Sequence, residues 1–249
     1  IGQSSIASNT NTLAIGTEAE ATAEDSTAIG TNAQATQVNS IAIGLNAFST
    51  GPNSTALGHN AKAKGGQSIS IGRGAVAEKF GTAALGACSN AFGNRSIAVG
   101  VYANATGVCS MAIGFTSSAT AENSIAIGDS AITTANNSIA IGLNSQASGN
   151  DSTTIGHNST STGVNSSAFG QGAKASGNDS TSLGKASRAK EYGSTAVGHF
   201  ARAIATKTIA VGGGSLANQE CAVAIGQLAR ATGTSSLAIG TDAKASQEI

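Results

Sequence analysis

Glycine recurs at every fourteenth position of this chain. Eighteen glycines, from Gly2 and Gly16 to Gly240, keep this interval without one insertion or deletion. A strict short period indicates one small structural unit stacked many times. Fourteen residues are too few for a pair of helices but suit one coil of a β-solenoid, with two short strands and two tight turns. The period predicts an all-β fold of about eighteen coils, forming one repeat domain over residues 1–249.

The composition agrees with a chain that lacks a large core. The 249 residues include 33 Gly, one Pro and no Trp, and only 10% are charged. Low charge with abundant Ser, Thr, Asn and Ala is also compatible with disorder, but disordered chains do not keep so strict a period. The formal net charge is zero, so composition suggests no nucleic-acid partner. No apolar run is long enough to cross a membrane, so we expect no direct membrane insertion of this chain.

Positions counted from the glycine show which side chains point inward. The residue two before it is Ala in fourteen of seventeen coils, and only Ala, Ser or Thr stand three and five after it. Neighbouring residues of a strand alternate between its faces, so Ala42 points to one side while Ile41 and Ile43 point to the other. Because a coil of two strands has a narrow interior, the small residues are expected inside. The large aliphatic residues are then expected outside.

The residue just before the glycine is large and apolar in every coil. These residues predict an apolar stripe about 80 Å long, at about 4.8 Å per coil. Soluble monomers do not expose such a surface, so it is expected to bury itself against identical copies. The residues alone leave open whether two or three chains associate. The predicted interface residues are Ile29, Ile43, Leu57, Ile71, Leu85, Val99, Ile113, Ile127, Ile141, Ile155, Phe169, Leu183, Val197, Val211, Ile225 and Ile239.

The turns also have a recurring sequence. Asn-Ser or Asp-Ser precedes many of the strands, as at Asn39, Asn53 and Asp151. Asn and Asp tolerate the left-handed backbone conformation and bond to nearby amides. The repeating glycine is expected to serve the same purpose at the other corner of the coil.

The coils reading N-S-I-A-I-G, at 39–44, 123–128 and 137–142, resemble the head repeats of YadA-like trimeric autotransporter adhesins. The resemblance covers the whole chain. It implies a left-handed parallel β-roll, with three chains side by side as a homotrimer on a bacterial cell surface. It also implies an outer-membrane anchor in C-terminal regions outside this sequence. Heads of this family bind host extracellular matrix proteins, collagen above all, so a collagen-type partner is expected.

A column of basic residues stands out from the repeat. Four residues after the glycine, cations occupy five of six consecutive coils, and only Leu216 interrupts them. Stacked cations could hold a sulfated glycan or another polyanion. The alternative is a solvated, charged face that keeps the chain soluble. The candidate polyanion-binding residues are Lys174, Arg188, Arg202, Arg230 and Lys244.

An enzyme is not expected, because no catalytic group is brought together. His59, His157 and His199 lie many coils apart, and no carboxylate pair or Ser/His/Asp set is evident. No catalytic, cofactor-binding or metal-binding residues are predicted. The sequence favours a non-enzymatic adhesin head that attaches through its outer faces. The alternative is a structural fibre or spacer segment, such as part of a phage tail fibre, without a ligand of its own.

Overall fold

The computed structural model describes residues 1–246 as short β-strands joined by tight turns, without a helix in that range. The chain divides into two compact units, Ile1–Asn123 and Ser124–Ile249. Within each unit, three-residue strands alternate with two-residue strands, here called long strands and short strands. One long strand and one short strand make one coil of fourteen residues.

The strands of the first unit follow this alternation. Its long strands are Leu13–Ile15, Thr27–Ile29, Ile41–Ile43, Thr55–Leu57, Ile69–Ile71, Ala83–Leu85, Ile97–Val99 and Met111–Ile113. Its short strands are Ile6–Ala7, Glu20–Ala21, Gln34–Ala35, Phe48–Ser49, Lys62–Ala63, Val76–Ala77, Asn90–Ala91, Asn104–Ala105 and Ser118–Ala119.

The second unit repeats the arrangement. Its long strands are Ile125–Ile127, Ile139–Ile141, Thr153–Ile155, Ser167–Phe169, Thr181–Leu183, Thr195–Val197, Ile209–Val211, Val223–Ile225 and Leu237–Ile239. Its short strands are Ile132–Thr133, Gln146–Ala147, Thr160–Ser161, Lys174–Ala175, Arg188–Ala189, Arg202–Ala203, Leu216–Ala217, Arg230–Ala231 and Lys244–Ala245.

Within each unit, the strands pair in parallel with their equivalents one coil later. Among the long strands, Ala42 lies opposite Ala56 and Ile43 opposite Leu57. Among the short strands, Ala189 lies opposite Ala203. Each unit therefore contains two parallel ladders, one of long strands and one of short strands. The predicted all-β parallel solenoid is confirmed.

The interior of each coil is filled by small side chains. Ala28, Ala33 and Ala35, at the three positions predicted to point inward, are fully buried. A fourth interior position lies ten residues after the glycine, where Ser40 is also fully buried. The sequence pattern assigned this serine to the Asn-Ser turn and did not place it inside.

Some of the buried hydroxyls at this fourth position bond to the turn beside them, while those of Ser68, Ser96, Ser110, Ser152 and Ser180 have no hydrogen-bond partner among the described residues. Ser26 donates to the carbonyl of Ala23, and Thr208 donates to the carbonyl of Ala205, each at 2.6 Å. Burial of a hydroxyl without a partner is costly, and the turn carbonyl offsets that cost at Ser26 and Thr208. Serine here therefore belongs to both the core and the turn.

Both corners of the coil contain a residue in the left-handed conformation, one at every seventh position. Asn39 has φ 57° at one corner, as predicted, and Asn32 has φ 54° at the other. The second of these lies two residues after the repeating glycine, which itself has an unusual φ between 118° and 140° along the chain. The asparagines stack, since the Asn32 side chain donates to Asn46 Oδ1 at 2.8 Å.

Not every left-handed position holds Asn or Gly. The three cysteines, Cys88, Cys109 and Cys221, all occupy such positions with φ of 55° or 56°. None of them forms a disulfide in this chain. Residues other than Gly, Asn and Asp are disfavoured in this left-handed conformation.

The repeating glycine is required by space as well as by backbone conformation. At Gly170, φ is 123°, and an added Cβ would lie 2.8 Å from the carbonyl oxygen of Gly184 in the next coil. At Gly172, in the same turn, φ is 65°, but an added Cβ would meet nothing within 4 Å. The first glycine allows two coils to approach closely, whereas the second only supplies a left-handed residue.

Replacement of these two glycines should therefore have unequal effects. We expect Gly170→Ala to lower the free energy of unfolding by about 3 kcal/mol, from strain and a clash with backbone. The control, Gly172→Ala, should cost only about 1 kcal/mol, from the left-handed conformation alone. Chemical unfolding followed by circular dichroism measures both. Equal losses would contradict the close approach of coils at Gly170.

Candidate functional site

The two ladders present two outward faces with different chemistry. The long-strand face consists of the first and third side chains of each long strand. The short-strand face consists of the first side chain of each short strand and the residue that follows the strand. Gln146 and Ser148 show that these last two positions share a face, since their side chains are hydrogen-bonded at 3.1 Å.

The long-strand face is apolar at its third positions in both units, while Thr or Ser occupies several first positions, such as Thr153, Ser167 and Thr181. All sixteen predicted interface residues are the third residues of long strands, and none of them is buried within the single chain. The middle residue of each long strand, such as Ala42 or Ala140, is fully buried instead. Pairing stacks the predicted residues directly, as with Ile43 on Leu57 and Val211 on Ile225. The structure thus brings them into one ladder within each unit.

The short-strand face of the second unit holds the predicted basic residues. Pairing places Lys174 beside Arg188 and Arg188 beside Arg202. Beyond Leu216, Arg230 lies beside Lys244. All five cations are solvent-exposed. No carboxylate of residues 1–246 lies within ion-pair distance of any of them.

A sixth cation joins this column from the neighbouring position. Lys190 follows the short strand Arg188–Ala189, so its side chain is on the same face as Arg188. With Lys174, Arg188 and Arg202, it lines an open groove of about 370 Å³. The sequence pattern counted only the residues four after the glycine, so it did not include Lys190 in the column.

A second groove connects the basic column to the neighbouring turn. It has a volume of about 410 Å³, with Arg188, Arg202 and Arg230 on one side. Phe200 and Leu228 stand on the other side. Both are left-handed turn residues two positions after the glycine. The groove therefore combines a cationic side with an apolar side, an arrangement visible in sequence only once both columns are stacked.

The acidic residues of the second unit are kept away from this face. Those within the described range lie in turns or bends, at Asp129, Asp151, Asp179, Glu191, Glu220 and Asp242. One of them reaches a cation of the column, since Glu191 lies 3.3 Å from Lys190. Among charged residues, the short-strand face of this unit therefore carries cations alone, while its turns carry both signs, since Lys185 and Lys207 also lie there.

The short-strand face of the first unit differs in its charges. It carries both signs, and Lys64 pairs with Glu78 of the next coil at 2.9 Å. Lys62 lies on the same face, one position before the interior residue Ala63. In the first unit, opposite charges therefore lie one coil apart, whereas in the second unit like charges do so.

Side chains that could bind a metal ion or catalyse a reaction do not cluster in the described residues. Over residues 1–246, no three His, Cys, Asp or Glu side chains are placed to hold a metal ion. In the same range, the rings of Tyr102 and Phe115 meet edge to face at a turn, with centroids 6.4 Å apart. The other ring contact there is between His199 and Phe200. Residues 1–246 include no helix of the length and apolar character that a membrane span requires.

These features define a class of protein: a solenoid repeat module whose coils present one largely apolar face and one variable face. The chain belongs to the family of the YadA head domain repeat. The family model matches residues 1–19, 21–47, 49–75, 77–103, 105–131, 134–159, 147–173, 161–187, 175–201, 189–215, 203–229 and 231–248.

The chain is similar to the collagen-binding domain of the Yersinia adhesin YadA, known from its crystal structure, with 28% sequence identity and a TM-score of 0.38. The similarity covers 65% of this chain and 76% of the Yersinia chain. No curated protein sequence matches the chain.

Proposed function

We propose that this chain is the head of a trimeric adhesin on a bacterial cell surface, which attaches to host extracellular matrix of the collagen type. The observation that carries the proposal is the presence of the family's head repeat in coil after coil of both units. An outer-membrane anchor would lie in parts of the protein outside this sequence. The role is binding rather than catalysis.

In this proposal, the long-strand face holds the trimer together and the short-strand face contacts the ligand. The long-strand face, with Ile43, Leu57 and their equivalents, is the interface between three parallel copies of the chain. Its exposed apolar ladder has no partner within one chain, and burial of apolar area is the main favourable term in such association. The short-strand face then remains in solvent on all three copies. Many weak, equally spaced contacts on such a surface add up to useful avidity.

The assignment of the interface is tested by two isoleucines on opposite faces. Ile155 is 39% exposed on the long-strand face, and Ile132 is 37% exposed on the short-strand face. We expect Ile155→Asp to destabilise the trimer by about 3 kcal/mol or more, because it buries an unpaired carboxylate. Ile132→Asp should leave the trimer unchanged. Native mass spectrometry during denaturant titration measures the effect.

Ile155 and Ile132 are a matched pair, because they have the same side chain and nearly the same exposure in a single chain. Equal destabilisation by the two substitutions would contradict the proposed interface. A monomeric wild-type chain at micromolar concentration would contradict it as well.

Attachment is tested with purified chain whose trimeric mass has been verified. We expect saturable binding to immobilised collagen and none to a bare surface. The double substitution Asn90→Glu and Asn104→Glu places two charges at paired positions of the short-strand face, and it should weaken collagen binding about tenfold through like-charge repulsion and lost contacts. The control substitutes Asn94 and Asn150, two exposed turn residues, in the same way.

Three results decide between adhesion and spacing. Loss of collagen binding in the short-strand double variant alone would support attachment through this face. Equal loss in the turn control would contradict that placement. Absence of collagen binding by a folded wild-type trimer would contradict the collagen-type ligand and favour a spacer segment.

A further inference from the structure

We propose that the short-strand face between Lys174 and Lys244 is a binding site for a linear sulfated polysaccharide. This inference rests on the proposed function only in placing the face outside the cell, where such polysaccharides are available. The site is defined by six cations: Lys174, Arg188, Lys190, Arg202, Arg230 and Lys244. We call these six residues the basic ladder.

The basic ladder is not explained by the stability of the chain. Like charges directly opposite each other in neighbouring strands are destabilising, and Lys174, Arg188 and Arg202 are paired in this way. The same scaffold offers the stabilising solution in the first unit, where Lys64 of one coil meets Glu78 of the next. Interspersed charges of both signs are enough to keep a solvated face soluble. A column of one sign is therefore better explained by an anionic ligand that offsets the repulsion.

The geometry of the ladder fits a ligand with regularly spaced anions. Neighbouring coils bring the cations about 4.8 Å apart along the face. Three of them are arginines, whose planar guanidinium groups bind sulfate oxygens with two parallel hydrogen bonds. Because five of the six cations stand in one column, interrupted only by Leu216, they match a single extended chain that lies along the stacking direction.

The surroundings of the ladder favour a polysaccharide over a nucleic acid. Unpaired nucleic acids are bound by exposed aromatic side chains that stack on the bases. From Ile132 to Ser246, the short-strand face carries no aromatic residue. Phe200, in the neighbouring turn, packs against His199 with ring centroids 4.1 Å apart, and one ring provides no platform for stacking successive bases. Phe200 and Leu228 instead form the apolar side of the second groove, which the non-polar faces of sugar rings would contact.

The electrostatic character of the site determines how binding should respond to salt. The ladder residues are exposed, so their attraction for an anionic chain is screened over about 8 Å at physiological ionic strength. Binding should therefore weaken as salt is raised. In the proposed trimer, three ladders would act on one polymer and increase the apparent affinity.

Heparin is the probe for the test, immobilised on a surface over which the full chain is passed at physiological salt. The double variant Arg188→Gln and Arg202→Gln removes two positive charges from the ladder. We expect it to lose heparin affinity by about tenfold or more. The matched control, Lys62→Gln with Lys64→Gln, removes two positive charges from the same face of the first unit and should change affinity by less than about twofold.

The outcomes are separable from those of the collagen experiment. Heparin binding that is lost only in the ladder variant supports the inference, whether or not the chain binds collagen. Retained collagen binding by the ladder variant leaves the proposed function standing and shows that the two ligands use different residues. Circular dichroism and native mass spectrometry establish that each variant keeps the wild-type fold and assembly.

Three results would overturn the inference. The first is absence of saturable heparin binding by the folded wild type. The second is an equal loss of affinity in the ladder variant and in the first-unit control, which would indicate attraction by general charge. The third is tighter binding to duplex DNA of matched length than to heparin, which would identify a nucleic acid as the preferred polyanion.

Discussion

The fit of one coil directly upon the next is the constraint on which the rest of the structure depends. Parallel pairing fixes each residue over its equivalent fourteen positions later, and the repeating glycine allows the backbones to approach without a side chain between them. Because only small residues fit inside, the interior contributes little bulk and no large apolar core. Stability is therefore spread over nearest-neighbour contacts between coils, as in other repeat proteins.

This arrangement separates the residues that build the fold from those that are free to vary. Within each coil, alanine, serine and glycine positions carry the stacking, while the outward positions accept residues as different as Phe48, Lys62 and Val76 on successive short strands. A substitution on the short-strand face leaves the interior untouched. The chain can thus change its binding surface without changing its scaffold, and the basic ladder is one result of that freedom.

Much of the fold follows from the sequence because the period supplies the register. Once the glycines are aligned, alternation places Ala42 inside and Ile43 outside, and the structure agrees. The buried position of Ser40 was not predicted, since Asn-Ser reads as a turn and the pattern does not reveal that the serine hydroxyl turns inward. Lys190 was placed near the basic column but not in it, and Phe200 was not connected with it, because these two residues occupy other positions of the coil. Only the stacked strands bring those positions to the edges of shared grooves.

The left-handed residue at every seventh position restricts how the gene for such a protein can change in length. Loss or gain of a few codons would shift every later residue out of its corner, so that a bulky side chain would have to adopt the conformation that Asn39 or Gly172 now holds. Recombination between repeats that removes or adds whole coils keeps all corners in place. The number of coils then changes by whole units, independently of the residues on the outward faces.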